Sequence, residues 1–375
     1  MGGATISFIN MIDGLIEYGV KPVVIIPRKG IHDERLIQYF RMKNIPYYQA
    51  TIAPMSLPKP SGCGEFIKVC ISFLLMIIRR IMSYYEIRRI AINENPDIIH
   101  TNVGIIREGY KVARNLRIKH ILHIREYQDK DFKWLFIPSK QNYEKFVRKS
   151  DYIITITNDL RDYFHLNDIS HAKTIYNGIY SRHDTIHIKD KKKYFLCASR
   201  IVPGKGYEDI IEAFLLFNQR HPDYELWIAG QGESHYISHL RKMIDRTTHM
   251  DKIKFLGHLD NVRPQMSEAK ALLVASHSEG FGRMTAEAAF NGCIVIGRNT
   301  AGTKEILEKT GGFLFNDVES MVKRMEEVCC LSNEEYLKLS SYAQEKAIQL
   351  YSTENNTEQI YQLYTTLNQK ENDCR

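Results

Sequence analysis

The sequence offers little from which to build a disulfide framework or a membrane span. Its 375 residues hold seven cysteines, an odd number, scattered as Cys63, Cys70, Cys197, Cys293, Cys329, Cys330 and Cys374. None forms a C-x-x-C pair, and Cys197 and Cys293 fall in apolar runs that read as buried strands. Reduced thiols in a cytosolic protein fit this pattern better than disulfides or a zinc site. No apolar run reaches the roughly 20 residues of a spanning helix, and no signal-peptide pattern is present. Internal repeats, heptad arrays and low-complexity segments are also missing. Lys and Arg exceed Asp and Glu, 51 to 44, for a net charge of +7. That surplus permits attraction to an anionic membrane surface. It is dispersed, and no recognised nucleic-acid module accompanies it, so nucleic acid is not an expected partner.

What is present is the composition of a globular protein, 44% hydrophobic and 25% charged, long enough for two domains. The second half alternates strands and helices. Strands are predicted at Tyr194–Ala198, Tyr224–Ala229, Lys254–Gly257, Leu272–Val274, Ile294–Gly297 and Phe313–Phe315. Helices between them, such as Tyr207–Gln219 and Arg283–Phe290, make this an α/β arrangement with a parallel sheet covered on both faces.

The chemistry concentrates in Ala271–Glu305, which reads as strand, glycine loop, helix, strand and second glycine loop. Amides near Phe281–Arg283 would be the unpaired donors of a helix start, an anion site. Glu279 precedes that helix and Glu287 lies inside it. A carboxylate only accepts hydrogen bonds, so beside an anion these two suit neutral hydroxyls. A sugar on a nucleoside diphosphate offers hydroxyls at both ends. The plainer alternative is two surface acids near a helix N-terminus, where acids are favoured anyway. A second loop, Ser199–Gly206, follows the strand Tyr194–Ala198. It places Arg200 and Lys205 at a strand's carboxyl end, where open α/β sheets bind ligands. They could neutralise a diphosphate, or be ordinary solvated cations.

Together and in this order, the two loops resemble the family 4 glycosyltransferases. Glu279 and Glu287, with seven residues between them, match the family's acidic pair, and Arg200, Lys205 and Gly206 match its Arg…Lys-Gly loop. The segments Leu226–Glu233 and Phe255–Gly257 are similar to its strand-loop punctuation. The resemblance implies a GT-B fold, with two Rossmann-like domains facing across a cleft. It places an N-terminal acceptor-side domain at 1–178, a linker at 179–193 and a nucleotide-sugar domain at 194–350. A helix at 351–370 crosses back to the first domain.

The resemblance also implies site roles. Arg200 and Lys205 hold the donor diphosphate, Glu279 meets the donor sugar and Glu287 holds the ribose. Backbone at Gly257, His258 and Leu259 meets the base. Gly280, Phe281, Gly282 and Arg283 complete the donor site, and Gly2 and Gly3 lie near the phosphates. The expected reaction moves a sugar from a UDP- or GDP-sugar to a saccharide or lipid-linked acceptor, with retention. It needs no cofactor and no metal, since fixed cations meet the charge that develops. The expected setting is surface polysaccharide or glycolipid synthesis, cytoplasmic and peripheral on the inner face of the membrane.

The first half departs from the family at its start. Met1-Gly2-Gly3-Ala4 runs directly into a helix, Thr5–Tyr18, where relatives place a strand first. The expectation is a natural chain that begins upstream of Met1. Thr51–Gly64 reads as a loop. Phe66–Ile78 is the most apolar run, followed by Arg79, Arg80, Arg88 and Arg89. It reads as a helix packed on the sheet or lying in a membrane interface. Pro96–Thr101 brings His100 and Asn102 to a strand end, and His120–Ile124 delivers Arg125 and Glu126. Asn102, Arg125 and Glu126 are the acceptor candidates, and a salt-bridged loop is their plain alternative. Several relatives carry histidine where Asn102 stands, and an amide cannot act as a general base. Two further readings keep the fold: a sugar-nucleotide epimerase, and a catalytically degenerate scaffold that holds nucleotide sugar. The intact donor-side loops favour the transferase.

Overall fold

A computed structural model describes residues 2–28, 34–59, 63–186, 190–245 and 250–372, with side chains 63–68, 250 and 370–372 outside the description. Met1, residues 60–62 of the expected loop, 187–189 of the expected linker, Arg246 and the tail 373–375 therefore lie outside the described residues. The chain divides into two compact units. Unit 1 is Met1–Gly178 with Thr353–Arg375, and unit 2 is Ile179–Ser352.

Unit 1 begins with α1 (Gly3–Glu17), β1 (Val24–Pro27), α2 (Glu34–Met42), β2 (Tyr47–Ala50), β3 (Ser56–Pro58) and α3 (Cys63–Glu94). It continues with β4 (Ile98–Thr101), α4 (Glu108–Leu116), β5 (Lys119–Ile124), α5 (Asp129–Phe132), β6 (Trp134–Phe136), α6 (Lys140–Val147), β7 (Tyr152–Thr155), α7 (Asn158–Tyr163) and β8 (Ala172–Thr174). The parallel strands form two separate sheets, β1-β2 and β4-β5-β7-β8, and β3 pairs antiparallel with β6. Among the described residues no strand precedes α1, and none joins β1 to β4. Helices bridge the break instead. On α1, Ile12 packs on Val24 and Ile26 of β1, while Met11 and Leu15 pack on Ile121 and Ile154 of β5 and β7. On the other side, Ile87 and Ala91 of α3 meet Ile25 of β1 and Ile99 of β4.

Unit 2 holds β9 (Tyr194–Ala198), α8 (Tyr207–Asn218), β10 (Glu225–Ala229), α9 (Ser234–Ile244), β11 (Ile253–Gly257), α10 (Arg263–Glu268), β12 (Ala271–Val274) and α11 (Arg283–Phe290). Then come β13 (Val295–Arg298), α12 (Ala301–Thr310), β14 (Phe313–Phe315), α13 (Val318–Cys330) and α14 (Asn333–Tyr351). Its six strands are all parallel. Their alternation fills two cores. Phe195 and Cys197 of β9 face α8 and α13, while Tyr194, Leu196 and Ala198 face Met266, Ala288 and Leu307. A parallel sheet buried on both faces is what such near-continuous apolar strands require. The chain ends with α15 (Thr353–Asn372), whose Ile360 and Leu363 join Met11 and Leu15 in the unit 1 core.

Three local readings are corrected. The segment 51–64 is not all loop, because Ser56–Pro58 pairs with Trp134–Phe136. The apolar helix does not stop near Ile78. It runs to Glu94 and contains all four arginines, because Arg80 turns back to the buried Glu108 and Arg88 reaches Asn115. The second glycine loop is the start of α12. Thr300 caps it in extended backbone and Gly302 is already helical.

Candidate active site

Strand order in unit 2 is β11-β10-β9-β12-β13-β14. The chain leaves β9 towards β10 on one side and later returns to β12 on the other. That reversal makes the carboxyl ends of β9 and β12 the crevice where such sheets bind ligands. The charged loops 199–206 and 275–282 follow those two strands.

The loops are tied together. His277 N–H donates to the Gly204 carbonyl at 3.0 Å. Lys205 Nζ reaches Glu279 Oε1 at 2.7 Å, and Ser276 Oγ donates to the same oxygen at 2.6 Å. Gly206 permits the approach: it caps α8 at φ +70°, and a Cβ there would lie 2.3 Å from the Ala275 carbonyl oxygen. Both bonds fall on Oε1, so Glu279 Oε2 meets no protein donor among the described residues. Lys205 is 23% and Glu279 13% exposed, so both are open to a ligand. Arg200 is exposed, and its guanidinium has no ion-pair or hydrogen-bond partner among the described residues.

A helix start stands on either side of Glu279 in this crevice. Gly282 caps α11. The Glu279 carbonyl accepts from Gly302 N–H at 3.1 Å. A Cβ at Gly302 would sit 2.2 Å from the Phe281 carbonyl oxygen, so only glycine lets α12 begin against this loop. Inside the first turns of these helices, the buried hydroxyls Thr285 Oγ1 and Thr303 Oγ1 have no hydrogen-bond partner among the described residues. Sequence reading missed Ser276, Thr303 and the second helix start; a Thr cap at 300 ahead of Lys304 and Glu305 was the available signal.

Glu287 is buried, and Arg283 Nε donates to its Oε1 at 2.6 Å, one turn apart on α11. Nearby, the Arg263 guanidinium lies 4.2 Å from the Tyr180 ring centre. Burial first, then the Glu287 charge, push the Tyr180 hydroxyl above its ordinary range. Gly257 ends β11, two strands from β9, and His258 and Leu259 follow it. Gly257 O accepts from Gly230 N–H at 2.8 Å, and His258 lies 3.5 Å from Asp260.

Unit 1 gathers a different set. Gly2 caps α1 and Gly3 is its first residue. Beyond β4 and β5, Arg125 Nε donates to Asn102 Oδ1 at 2.8 Å and its NH1 to Asn177 Oδ1 at 2.6 Å. Its NH2 lies 3.3 Å from His123 Nδ1. That nitrogen is 3.3 Å from His100 Nε2, and His100 Nδ1 lies 2.6 Å from the Tyr364 hydroxyl. Burial pulls Arg125 down to about 10, so it stays charged at neutral pH. Glu126 does not bond Arg125. Gln128 donates to it at 2.9 Å, and burial, followed by the charge of Asp131, raises it. Asp129-Lys130-Asp131 is the chain's one Asp-x-Asp spacing. Its carboxylates are engaged by the Tyr163 hydroxyl at 2.5 Å and the Tyr127 N–H at 2.9 Å.

Comparison with known proteins matches the description "Glycosyltransferase Family 4" to residues 1–182 and "Glycosyl transferases group 1" to residues 181–346. The chain belongs to the family 4 glycosyltransferases. N-acetyl-alpha-D-glucosaminyl L-malate synthase of Bacillus anthracis is 23% identical over 60% of this chain and 62% of its own length. Alpha-monoglucosyldiacylglycerol synthase of Acholeplasma laidlawii is 23% identical over 94% of this chain and 84% of its own. Several other curated relatives are matched over less than half of their length. Among solved structures, Anabaena HepE in complex with UDP superposes with a TM-score of 0.76 at 18% identity, covering 97% of this chain and 96% of that one. The fold of this family 4 glycosyltransferase is therefore GT-B, with two Rossmann-like domains.

Proposed function

We propose that this glycosyltransferase moves a sugar from a UDP- or GDP-sugar to a saccharide or lipid-linked acceptor, with retention of configuration and without a metal. The product belongs to surface polysaccharide or glycolipid synthesis. The observation that carries this reading is the Lys205–Glu279 contact at the β9/β12 crevice, beside the unpaired Arg200. A departing nucleoside diphosphate gains negative charge. Arg200 and Lys205, with the N–H groups at the start of α11, put positive potential where it develops. Glu279 has one oxygen occupied and one free to accept from a sugar hydroxyl. The Glu279 contact aims Lys205 while no phosphate is bound. Glu287 takes a ribose hydroxyl, and Gly257–Leu259 present backbone to the base. Relatives named as synthases of a glucosaminyl malate and of a monoglucosyldiacylglycerol support a small or lipid acceptor, met by Asn102, Arg125 and Glu126 in unit 1. Asn102 is held by Arg125, so it positions rather than takes protons.

Calorimetry with UDP and GDP, with and without magnesium, tests the donor half. We expect one nucleotide to bind with the same affinity in either buffer and to lose at least about tenfold in Lys205→Ala. Equal binding by the variant, or binding that needs magnesium, would reject the assignment. Binding of neither would reject the donor half.

A further inference from the structure

The two loops that carry Lys205 and Glu279 must hold a fixed gap if both residues are to meet one ligand. A residue outside both loops touches each side of that gap. Arg298 ends β13. Its side chain is only 11% exposed, and the guanidinium lies 5.2 Å from the ring centre of the buried Phe315. Nε donates to the Ala275 carbonyl at 3.0 Å, and NH1 donates to the Asn316 carbonyl at 3.2 Å. NH2 donates to the Asp209 carboxylate, closing an ion pair.

Each acceptor lies beside a loop on the carboxyl edge of the sheet. Ala275 follows β12, and the next residue, Ser276, donates to Glu279. Asp209 is in the first turn of α8, the helix that begins just past Lys205. Asn316 follows β14. The Ala275 oxygen that accepts from Arg298 is also the atom that a Cβ on Gly206 would strike. The loops after β9 and β12 therefore meet at the carbonyl that Arg298 holds. Among the described residues, Arg298 bonds neither Lys205 nor Glu279. A guanidinium presents its donors as a rigid planar fork, so three acceptors on three segments are fixed relative to one another. An ammonium is a point charge on a flexible stem and cannot do the same.

We infer that Arg298 is a positioning residue of the donor site: by holding Ala275 and Asp209 to each other, it sets the gap across which Lys205 and Glu279 receive a nucleoside diphosphate. A charged hydrogen bond to phosphate is short and directional, so a loop that drifts loses it. The inference rests on the donor reading of Lys205. A plain brace of the fold would make the same three bonds. The difference lies in what the loss acts through. A brace stabilises unit 2 whether or not Lys205 is present, whereas a positioning residue reaches the nucleotide only by way of Lys205.

Calorimetry of the full chain with UDP and with GDP tests it, in the wild type, Arg298→Lys, Lys205→Ala and the double variant. We expect Arg298→Lys to weaken the nucleotide that binds by about fivefold, and by less than about twofold where Lys205 is already Ala. Asp209→Asn leaves Arg298 its two carbonyl partners and should weaken binding about threefold, with the same dependence on Lys205. This milder variant carries the test if Arg298→Lys fails to fold. A loss of equal size with and without Lys205, or no loss in either variant while Lys205→Ala still weakens binding, would overturn the inference and leave Arg298 as a brace. A wild-type chain that binds neither nucleotide, or that loses nothing in Lys205→Ala, would overturn the donor reading and this inference with it.

Discussion

Both units place polar groups at the carboxyl ends of parallel strands, and they treat charge in opposite ways. In unit 2 charges are paired, Lys205 with Glu279 and Arg283 with Glu287, at 2.7 and 2.6 Å. In unit 1 the buried Arg125 is surrounded by neutral acceptors, Asn102, Asn177 and His123. A carboxylate cancels much of a cation's field, while an amide oxygen only replaces its water. Arg125 therefore keeps its full charge in a fixed place, and its field helps keep His100 and His123 uncharged. Lys205 has a partner that a diphosphate can replace. One unit holds a standing charge, and the other holds charges that can change partners.

The largest effect should come from breaking the exchangeable pair. Glu279→Gln keeps the shape and removes the charge. We expect sugar transfer to fall by about a hundredfold to a thousandfold, with the melting temperature little changed. Lys205→Ala should do the same. Steady-state rates at the wild-type level in either variant would remove that residue from the site.

Acid should act on the other side of the comparison. His120 and His123 are completely buried. Burial brings His120 down to about 3, and burial with the Arg125 charge does the same for His100. His123 is pushed far below its usual range by the same two causes. In the unfolded chain these rings titrate near 6.5. Below that pH the unfolded state takes up protons that the folded state refuses. Stability from these groups is complete above about 6.5 and is lost progressively towards about 3. At about pH 5.5, one unit below the unfolded value, the three rings together should cost unit 1 about 4 kcal/mol. The two tryptophans separate the units, Trp134 in unit 1 and Trp227 in unit 2. Denaturation followed in Trp227→Phe and Trp134→Phe should show the unit 1 midpoint falling with acid. A unit 1 midpoint constant from neutral pH down to 5.5 would contradict the neutral-imidazole network.

The contrast also marks what could be read in advance. The strand Tyr194–Ala198 and the helix Arg283–Phe290 match the structure to the residue. An apolar run or a helical run bounded by glycine is a local signal. α12 was hidden because Gly302 looks like a loop residue, and its reason for being glycine is contact with Phe281. The strands β3 and β6 are three residues each and exist only because they pair across 80 residues of chain. The full length of α3 was obscured by arginines whose partners, Glu108 and Asn115, lie on α4. At the site, the identities of Lys205, Glu279 and Glu287 were legible, and their partners were not. The Lys205–Glu279 bond joins residues 74 apart, and neither the Arg125 network nor the stacking of His100 on His123 leaves a spacing to read.

The smallest effect sharpens the comparison most, because it separates a ligand contact from a structural pair. Glu287 holds Arg283 through one bond along α11, and such a pair contributes only about 0.2–0.5 kcal/mol to a helix. If the carboxylate does no more than that, Glu287→Ala should leave nucleotide affinity unchanged. If it also accepts from the ribose, the variant should lose about tenfold in donor affinity, the size of one hydrogen bond to a charged group, with turnover at saturation within about twofold. The substitution also removes a partner of Arg283, so donor affinity alone mixes two effects. The decisive readout is therefore discrimination between UDP and 2′-deoxy-UDP, or the corresponding GDP pair. A ribose contact predicts that the wild-type chain prefers the ribonucleotide and that Glu287→Ala does not. A preference that survives the substitution would leave Glu287 as the holder of Arg283 and move the search for the ribose partner to the Tyr180–Arg263 contact beside it.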